Sequence, residues 1–203
     1  MLFRSDNGPN YKKDKPTDEQ WARKRQAVTF QMMFLGAPMI YYGDEAGMWS
    51  PDDPSNRMPM WWKDHEPFEN PQFKFDEKHF AHYQRVIAIR NKFPSLRTGF
   101  FRPILIDDER GVYGFVRELG DERVYVVLNR GNKGASIEVA VHESELALVD
   151  WMDPAQATVV VPAQDWGQTH AIHPPDATPT RSTNGKVTLQ LKPYGTAVLA
   201  RSK

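Results

Sequence analysis

Apolar and polar positions in the first hundred residues alternate between helical and extended patterns. Thr17 and Gln20 predict a capping box, with Thr17 as the N-cap and Gln20 reaching back to it. Residues 19–34 contain neither Gly nor Pro and predict a helix that Gly36 ends. The short apolar run at residues 37–42 is bounded by Pro and Gly, which is typical of a buried parallel strand.

The next stretch, residues 43–75, is rich in Pro, Asp and Trp and predicts a long irregular loop. Loops of this length are uncommon in compact domains and usually have a function. Residues 76–92 have an amphipathic pattern that predicts a second helix, which Pro94 ends. Alternating helices and strands indicate an α/β fold, but one buried strand cannot form a sheet alone. We therefore expect residues 1–97 to be a piece of a larger α/β unit.

The pattern changes after residue 97 to short runs with period-two alternation, separated by turns. Gly120-Asp121 and Asn184-Gly185 predict hairpin turns. Residues 98–203 are therefore predicted to form an antiparallel β-sandwich. The clearest strand signals are at residues 112–116, 124–128, 137–141 and 187–191.

Charge and composition narrow the range of partners. Lys and Arg total 26, as do Asp and Glu, so the formal net charge is zero. Nucleic-acid and anionic-membrane binders usually have a basic excess, so we expect neither partner, and a neutral ligand fits better. The absence of cysteine excludes disulfides and thiolate chemistry and favours a cytoplasmic location. No apolar run approaches the roughly 20 residues that span a bilayer.

The most informative segment is residues 30–48, FQMMFLGAPMIYYGDEAGM, which closely resembles the last barrel strand of the α-amylase family of glycoside hydrolases. Residues 52–62, DDPSNRMPMWW, resemble the loop that follows it. The similarity is greatest to the branch that contains cyclomaltodextrinases, neopullulanases, maltogenic amylases and α-glucosidases. Residues 80–94 resemble the closing helix of that family, and residues 193–199 resemble the last strand of its trailing sandwich.

This resemblance implies an α/β part followed by an all-β part. Residues 1–97 would be the terminal segment of a (β/α)8 TIM barrel and residues 98–203 its C-terminal β-sandwich. Retaining glycosidases use two carboxyl groups about 5 Å apart. In the resembled family these lie on earlier strands, and their motifs are not found in this sequence. We therefore assign no catalytic residue, Asp6 included, and expect the chain to be inactive alone.

Four residues are predicted to bind substrate. The resemblance implies that Asp53 and Arg57 hold the glucose unit before the scissile bond, through charge-assisted bonds to hydroxyl groups. From the residues alone, a loop ion pair or an Asx turn is the favoured explanation for the two. Tyr42, like Trp49, either lines the pocket or packs in the core, and Glu45 is the fourth residue predicted to bind substrate. Of Asp44 and Glu45, one is expected to line the barrel mouth and the other to hold the loop by hydrogen bonds. Asp44 and Glu45 are adjacent on an extended segment, so they are expected to point to opposite sides.

Three further residues are given structural roles. The resemblance implies that Trp62 packs in the interior rather than stacking on a sugar. His79 and His82 are three positions apart on the predicted second helix, and both are expected at the surface. A histidine pair without a third ligand is weak evidence for a metal site. No metal and no cofactor are predicted.

Three functions remain open from the sequence. The chain is the C-terminal fragment of a retaining glycosidase acting on α-glucans, maltooligosaccharides or cyclodextrins; or a non-catalytic carbohydrate-binding or interaction module; or an enzyme that needs a partner chain to complete its barrel. A piece of a barrel also exposes apolar surface where its neighbouring strands are missing. That exposure predicts self-association, domain swapping, or disorder within residues 1–75.

Overall fold

The computed structural model describes residues 14–50, 55–142, 147–153, 155, 158–160, 171–173, 180–182 and 184–201. These residues divide into two compact units. The first unit consists of the described residues up to 21 together with residues 38–83, and the second of residues 22–37 and those from 84 onward. The predicted domain division at residue 97 stays a prediction.

Three α-helices occur in the described residues: α1 (Asp18–Met33), α2 (Glu77–Lys92) and the short α3 (Ser95–Thr98). Two single-turn 3-10 helices, Ser55–Arg57 and Lys63–His65, interrupt the predicted long loop. The strands are β1 (Phe100–Asp107), β2 (Val112–Leu119), β3 (Glu122–Asn129), β4 (Ala135–Ala140), β5 (Ala147–Asp150), β6 (Thr158–Val160), β7 (Ala171–His173), β8 (Thr180–Arg181), β9 (Lys186–Leu191) and β10 (Thr196–Arg201).

Both long helices begin at side-chain caps. The backbone N–H of Thr17 donates to Oε1 of Gln20 at 2.8 Å, and the N–H of Gln20 donates to Oγ1 of Thr17 at 3.3 Å, which confirms the predicted capping box. Gly36 follows the end of α1 with a φ of 87°, as predicted for a helix stop. At α2, Oδ1 of Asp76 accepts a hydrogen bond from the N–H of His79 at 2.9 Å.

The apolar run at residues 37–42 belongs to no sheet in the described part of the chain. Met39 is 75% exposed, and Ile40 and Tyr42 are close to 40% exposed. The prediction of a buried strand is therefore wrong for this structure. A parallel strand needs neighbours to satisfy its backbone N–H and C=O groups, and no described strand pairs with these residues.

The antiparallel β prediction is confirmed. Six strands form one sheet in the order β1-β2-β3-β10-β5-β8, and β4 pairs with β9. The strand pairings among the described residues are all antiparallel, consistent with a β-sandwich. Side chains from β2, β3 and β10 form one buried cluster with those of β4 and β9. Its largest members include Tyr125, Ile137, Leu148 and Leu199.

The two predicted hairpin turns have different outcomes. Gly120 and Asp121 connect the paired strands β2 and β3, and Gly120 has a φ of 56°, so this hairpin is confirmed. Asn184 and Gly185 also have positive φ, at 52° and 71°. However, β8 before this turn pairs with β5, whereas β9 after it pairs with β4. The turn is present, but the predicted hairpin is wrong because its flanking strands belong to different sheets.

Strand β1 lies at one edge of the six-stranded sheet. Its pairing with β2 shifts register between Pro103 and Leu105, which marks a bulge. Phe100 and Ile106, near the two ends of the strand, are 82% and 68% exposed. Proline has no backbone N–H and is therefore tolerated at an edge position.

Two buried arginines of the second unit bind the carbonyl end of α1. Arg117 is fully buried and donates from Nη1 to the carbonyls of Met33 at 3.1 Å and Phe34 at 3.0 Å. Arg90 is 8% exposed and donates to the carbonyls of Phe34 at 3.3 Å and Gly36 at 2.6 Å. Since the last carbonyls of a helix have no partner within it, these guanidinium groups supply the missing donors.

Arg117 also joins α1 to the segment that enters the sheet. Its Nη1 donates to the carbonyl of Leu96 at 3.0 Å and its Nη2 to that of Gly99 at 2.9 Å. Burial lowers the pKa of Arg117, and the nearby charge of Arg90 lowers it further. The cost of burying this cation is offset by its hydrogen bonds to carbonyl oxygens.

Asp150, at the end of β5, carries a perturbed carboxyl group. Its Oδ1 accepts hydrogen bonds from the N–H groups of Met152 and Val198, each at 3.0 Å. Desolvation nevertheless raises the pKa of Asp150 from 3.8 to about 6, with those two hydrogen bonds opposing the rise. The neutral form of this carboxyl is therefore favoured by the fold.

We expect Arg117→Ala to lower the free energy of unfolding by about 2–4 kcal/mol, because several buried carbonyls lose their donor. Arg102→Ala is the matched control, since Arg102 pairs with Glu118 at 3.3 Å on the surface. Its cost should stay below about 1 kcal/mol. Urea unfolding of the two variants tests this, and equal losses would contradict the role given to Arg117.

Asp150 should also make stability depend on pH. Its pKa in the folded chain is about 6, above the reference value of 3.8, so the folded state holds a proton that the unfolded state releases. The stabilisation by this group is complete below pH 3.8 and is lost as the pH rises through 6. Asp150→Asn stays neutral, so its stability relative to the natural chain should increase between pH 4.5 and pH 7.5. A difference in unfolding free energy that does not change with pH would refute this.

Candidate functional site

The turn at residues 41–48, in the first unit, carries two of the predicted site residues. The N–H of Asp44 donates to the carbonyl of Tyr41 at 3.0 Å, and the N–H of Met48 donates to that of Gly43 at 2.9 Å. Gly43 and Gly47 have φ values of 84° and 74°, a conformation that residues with a Cβ rarely adopt. The glycines therefore allow the chain to reverse here.

A cluster of aromatic side chains supports this turn and the loop that follows it. Trp49 and Trp61 are buried and meet edge to face at 6.1 Å. The ring of Phe73 stacks on Trp61 at 4.5 Å between centroids. Ala46 and Met48, both fully buried, belong to the same cluster. The loop predicted to be irregular thus has its own apolar core, which fixes its shape.

The structure brings Tyr42 and Arg57 together. The hydroxyl of Tyr42 donates to the carbonyl of Met58 at 3.0 Å, next to Arg57 in the chain. Partial desolvation raises the pKa of Tyr42, Tyr41 raises it further, and the positive charge of Arg57 opposes the rise. Arg57 ends a 3-10 turn and is exposed. Asp53, predicted to hold the sugar together with Arg57, lies outside the described residues.

Glu45 occupies a different environment from its neighbour Asp44. Asp44 is 3% exposed, whereas Glu45 is half-buried. The Oε2 atom of Glu45 is buried and accepts no hydrogen bond from the described residues. Tyr83 is 3% exposed, and desolvation followed by the charge of Glu45 raises its pKa. Glu45 is thus associated with Tyr83, and no contact between Glu45 and Arg57 is seen among the described residues.

Two predictions about side-chain burial are wrong. Trp62 is 48% exposed, and Trp61 packs in the interior in its place. Adjacent residues of an extended segment face opposite ways, so only one of the two indoles can join the aromatic cluster. His79 is fully buried, with its ring 5.1 Å from that of Trp21 and 5.2 Å from that of Tyr83.

The spacing of the buried residues along α2 could have predicted that His79 is buried. Tyr83, Val86 and Arg90 are also buried, and they follow His79 by four, seven and eleven positions. His82 is half-buried on the neighbouring side of the helix. The described ranges contain no group of three His, Asp or Glu residues able to hold a metal ion, and no helix long and apolar enough to cross a membrane.

The chain is similar in sequence to known proteins over part of its length. No protein-family profile matches the chain. Neopullulanase 2 of Thermoactinomyces vulgaris is 38% identical over 132 residues, which cover 65% of this chain and 21% of that protein. The chain therefore spans about a fifth of the length of this curated relative.

Solved structures extend the likeness over nearly the whole chain. A cyclomaltodextrinase superposes with a TM-score of 0.67 and 25% identity, covering 91% of this chain and 26% of that one. An α-amylase from Anoxybacillus superposes with a TM-score of 0.65 and 22% identity, covering 90% of this chain and 33% of that one, which shows the fold alone. The structural neighbours are thus glycoside hydrolases of the α-amylase family. Within that class, the homologues of this chain are neopullulanase, cyclomaltodextrinase and maltogenic amylase, which confirms the resemblance seen in the sequence.

The site turn gives a direct prediction about glycine. A Cβ on Gly47 would lie 2.7 Å from Cβ of Asp76, whereas a Cβ on Gly120 would have nothing within 4 Å. Both residues have positive φ. Gly120→Ala should therefore cost only the conformational strain, about 1–2 kcal/mol. Gly47→Ala should cost about 1–3 kcal/mol more, because two segments must move apart. Urea unfolding of both variants measures this, and equal costs would show that Asp76 does not restrict the turn.

Proposed function

We propose that these 203 residues are the C-terminal portion of a retaining α-glycosidase that acts on α-glucans, maltooligosaccharides or cyclodextrins. The names of the relatives support this substrate class, and the chain spans only a fifth to a quarter of the length of two of them. The motifs that would supply the two catalytic carboxyl groups are not found in the sequence. The portion proposed here binds sugar and relies on residues outside it for bond cleavage.

The exposed run at residues 37–42 supports an origin in a barrel. Its sequence is that of a buried strand, yet Met39 is three-quarters exposed and no described strand pairs with it. In a (β/α)8 barrel the same residues would lie between two parallel strands. The exposure also supports the proposal that the chain by itself associates with further copies through this run, since large exposed apolar surfaces promote association.

The observation that carries the binding proposal is the exposed guanidinium of Arg57 beside the exposed ring of Tyr42. A guanidinium donates to two sugar hydroxyls at once, and an aromatic ring packs on the apolar face of a pyranose. The hydroxyl of Tyr42 already donates to Met58, so Tyr42 contributes mainly its ring. Asp53 would accept from the hydroxyls that Arg57 does not reach, as the family resemblance suggests.

Glu45 completes the proposed set from the other end of the turn. Its buried Oε2 accepts no hydrogen bond from the described residues, and an unsatisfied buried carboxylate oxygen is costly. A sugar hydroxyl or a group from the rest of the barrel would satisfy it. The proposed role of Glu45 is therefore supported by its unsatisfied oxygen, whereas the roles of Arg57 and Tyr42 are supported by their position next to each other as well as by their chemistry.

Two alternatives remain as proposals. In the first, the chain is a non-catalytic carbohydrate-binding module, favoured by the exposure of Arg57 and Tyr42 without any barrel around them. In the second, it becomes active only when a partner chain completes the barrel. A cytoplasmic location also stays a prediction.

A chimera tests the proposal most directly. The corresponding C-terminal part of Thermoactinomyces vulgaris neopullulanase 2 is replaced by this chain, and hydrolysis of β-cyclodextrin is measured. We expect an active chimera, and Arg57→Ala within it should lower kcat/KM about 10–100-fold, because charge-assisted hydrogen bonds are lost. Arg57→Lys should recover only part of the loss, since lysine lacks the planar fork.

Arg102→Ala is the control in the chimera, because Arg102 is an exposed arginine of the second unit that pairs with Glu118. It should leave kcat/KM unchanged. Hydrolysis by the unaltered 203-residue chain alone would contradict the proposed absence of catalytic carboxyl groups. A folded chimera whose activity is insensitive to Arg57→Ala would refute the role of Arg57.

A further inference from the structure

A cavity of about 370 Å³ lies entirely within the second unit, between α1 and the β1–β2 hairpin. Its volume falls in the range of small-molecule sites. The side chains that give it chemical character are Arg23, Gln26, Phe30, Asp108, Tyr113 and Arg130. None of them belongs to the turn and loop that contain Tyr42 and Arg57.

Two aromatic rings of this cavity are held in place by a third. Phe30 of α1 meets Phe115 edge to face at 6.0 Å, and Tyr113 of β2 lies 5.9 Å from the same ring. Phe115 is fully buried, so the fold fixes its position. Phe30 and Tyr113 are half-buried and line the cavity. The rings are therefore pre-organised, which reduces the entropy lost when a ligand binds.

Polar groups without partners surround these rings. The hydroxyl of Tyr113, the guanidinium of Arg130 and the carboxylate of Asp108 form no hydrogen bond or ion pair with any side chain or backbone group in the described ranges. Gln26 uses its Nε2 to donate to the carbonyls of Asn129 at 2.8 Å and Gly195 at 3.1 Å. These bonds fix the amide so that its Oε1 remains an acceptor.

The charges of the cavity indicate a neutral ligand. Arg23 and Arg130 contribute two positive charges, and Asp107 and Asp108 contribute two negative charges. Asp107 is already paired with Arg110, whose guanidinium forms an ion pair with its carboxylate and whose backbone N–H donates to its Oδ1 at 2.9 Å. A phosphate or carboxylate ligand would meet the two aspartates as well as the arginines, and an organic cation would meet the arginines. An uncharged ligand avoids both repulsions.

We infer that this cavity is a binding site for a neutral pyranose sugar. A pyranose has an apolar face that packs on an aromatic ring, and hydroxyl groups at its edge that both donate and accept. Phe30 and Tyr113 match the first property. Arg130, Asp108 and Oε1 of Gln26 match the second, as one donor and two acceptors. This inference is independent of the proposed glycosidase function, because it uses none of the residues on the Tyr42–Arg57 loop.

The experiment is a titration of the isotope-labelled 203-residue chain with maltose, followed by amide NMR. We expect shifts in the backbone signals of Phe30, Asp108, Tyr113 and Arg130, with a dissociation constant of about 1–10 mM, typical of a few hydrogen bonds and one ring contact. Arg130→Ala and Asp108→Ala should each weaken this binding about 10-fold. Both side chains are exposed, so the fold should persist.

Lys133→Ala is the matched control, since Lys133 is exposed in the loop before β4 and does not line the cavity. It should leave the affinity unchanged. In the Arg57→Ala variant the shifts around Tyr113 should persist, which separates this inference from the proposed function. Absence of maltose-induced shifts at these four residues up to about 50 mM would overturn the inference. Shifts that Arg130→Ala and Asp108→Ala leave unchanged, or saturable shifts at the same residues with inorganic phosphate but not with maltose, would overturn it as well.

Discussion

The second unit depends on the contact between two buried guanidinium groups and the carbonyl end of α1. A buried cation is costly, and among the described residues neither Arg90 nor Arg117 is offset by a carboxylate. Both donate to backbone carbonyls that would otherwise have no donor. The helix end and the arginines therefore require each other, and removing either one leaves the other buried and unsatisfied.

This constraint explains how the cavity between α1 and the β1–β2 hairpin obtains a fixed shape. Arg117 is on β2, two residues after Phe115, and it binds the end of α1. Gln26 binds the backbone at Asn129 from the middle of the same helix. With two such attachments, α1 cannot slide along the sheet without losing several hydrogen bonds. Phe30 and Tyr113 thus keep their relation to Phe115.

Local signals in the sequence predicted the parts of the fold that depend on local physics. The capping box at Thr17, the strand runs such as residues 124–128 and the turn at Gly120 all involve neighbouring residues, and all are confirmed.

The prediction for residues 37–42 was wrong because a strand also needs partners. His79 and Trp62 were assigned wrongly because burial depends on which side of an element meets the core, and for these residues tertiary packing decided it. The prediction that Asp53 and Arg57 together hold a sugar rests on the family resemblance. The cavity between α1 and the β1–β2 hairpin had no sequence signal, since Phe30 and Tyr113 are far apart in the chain.

The bulged edge strand β1 limits the ways in which copies of this chain can meet. A strand that adds to this edge needs an uninterrupted row of backbone N–H and C=O groups. Pro103 has no N–H, and the register shift next to it changes the direction in which the neighbouring backbone groups point. The exposed side chains of Phe100 and Ile106 are thus available for contact while the backbone between them is a poor template for pairing. Aggregates of this chain, where they form, should therefore lack cross-β order along β1 and grow instead through side-chain burial.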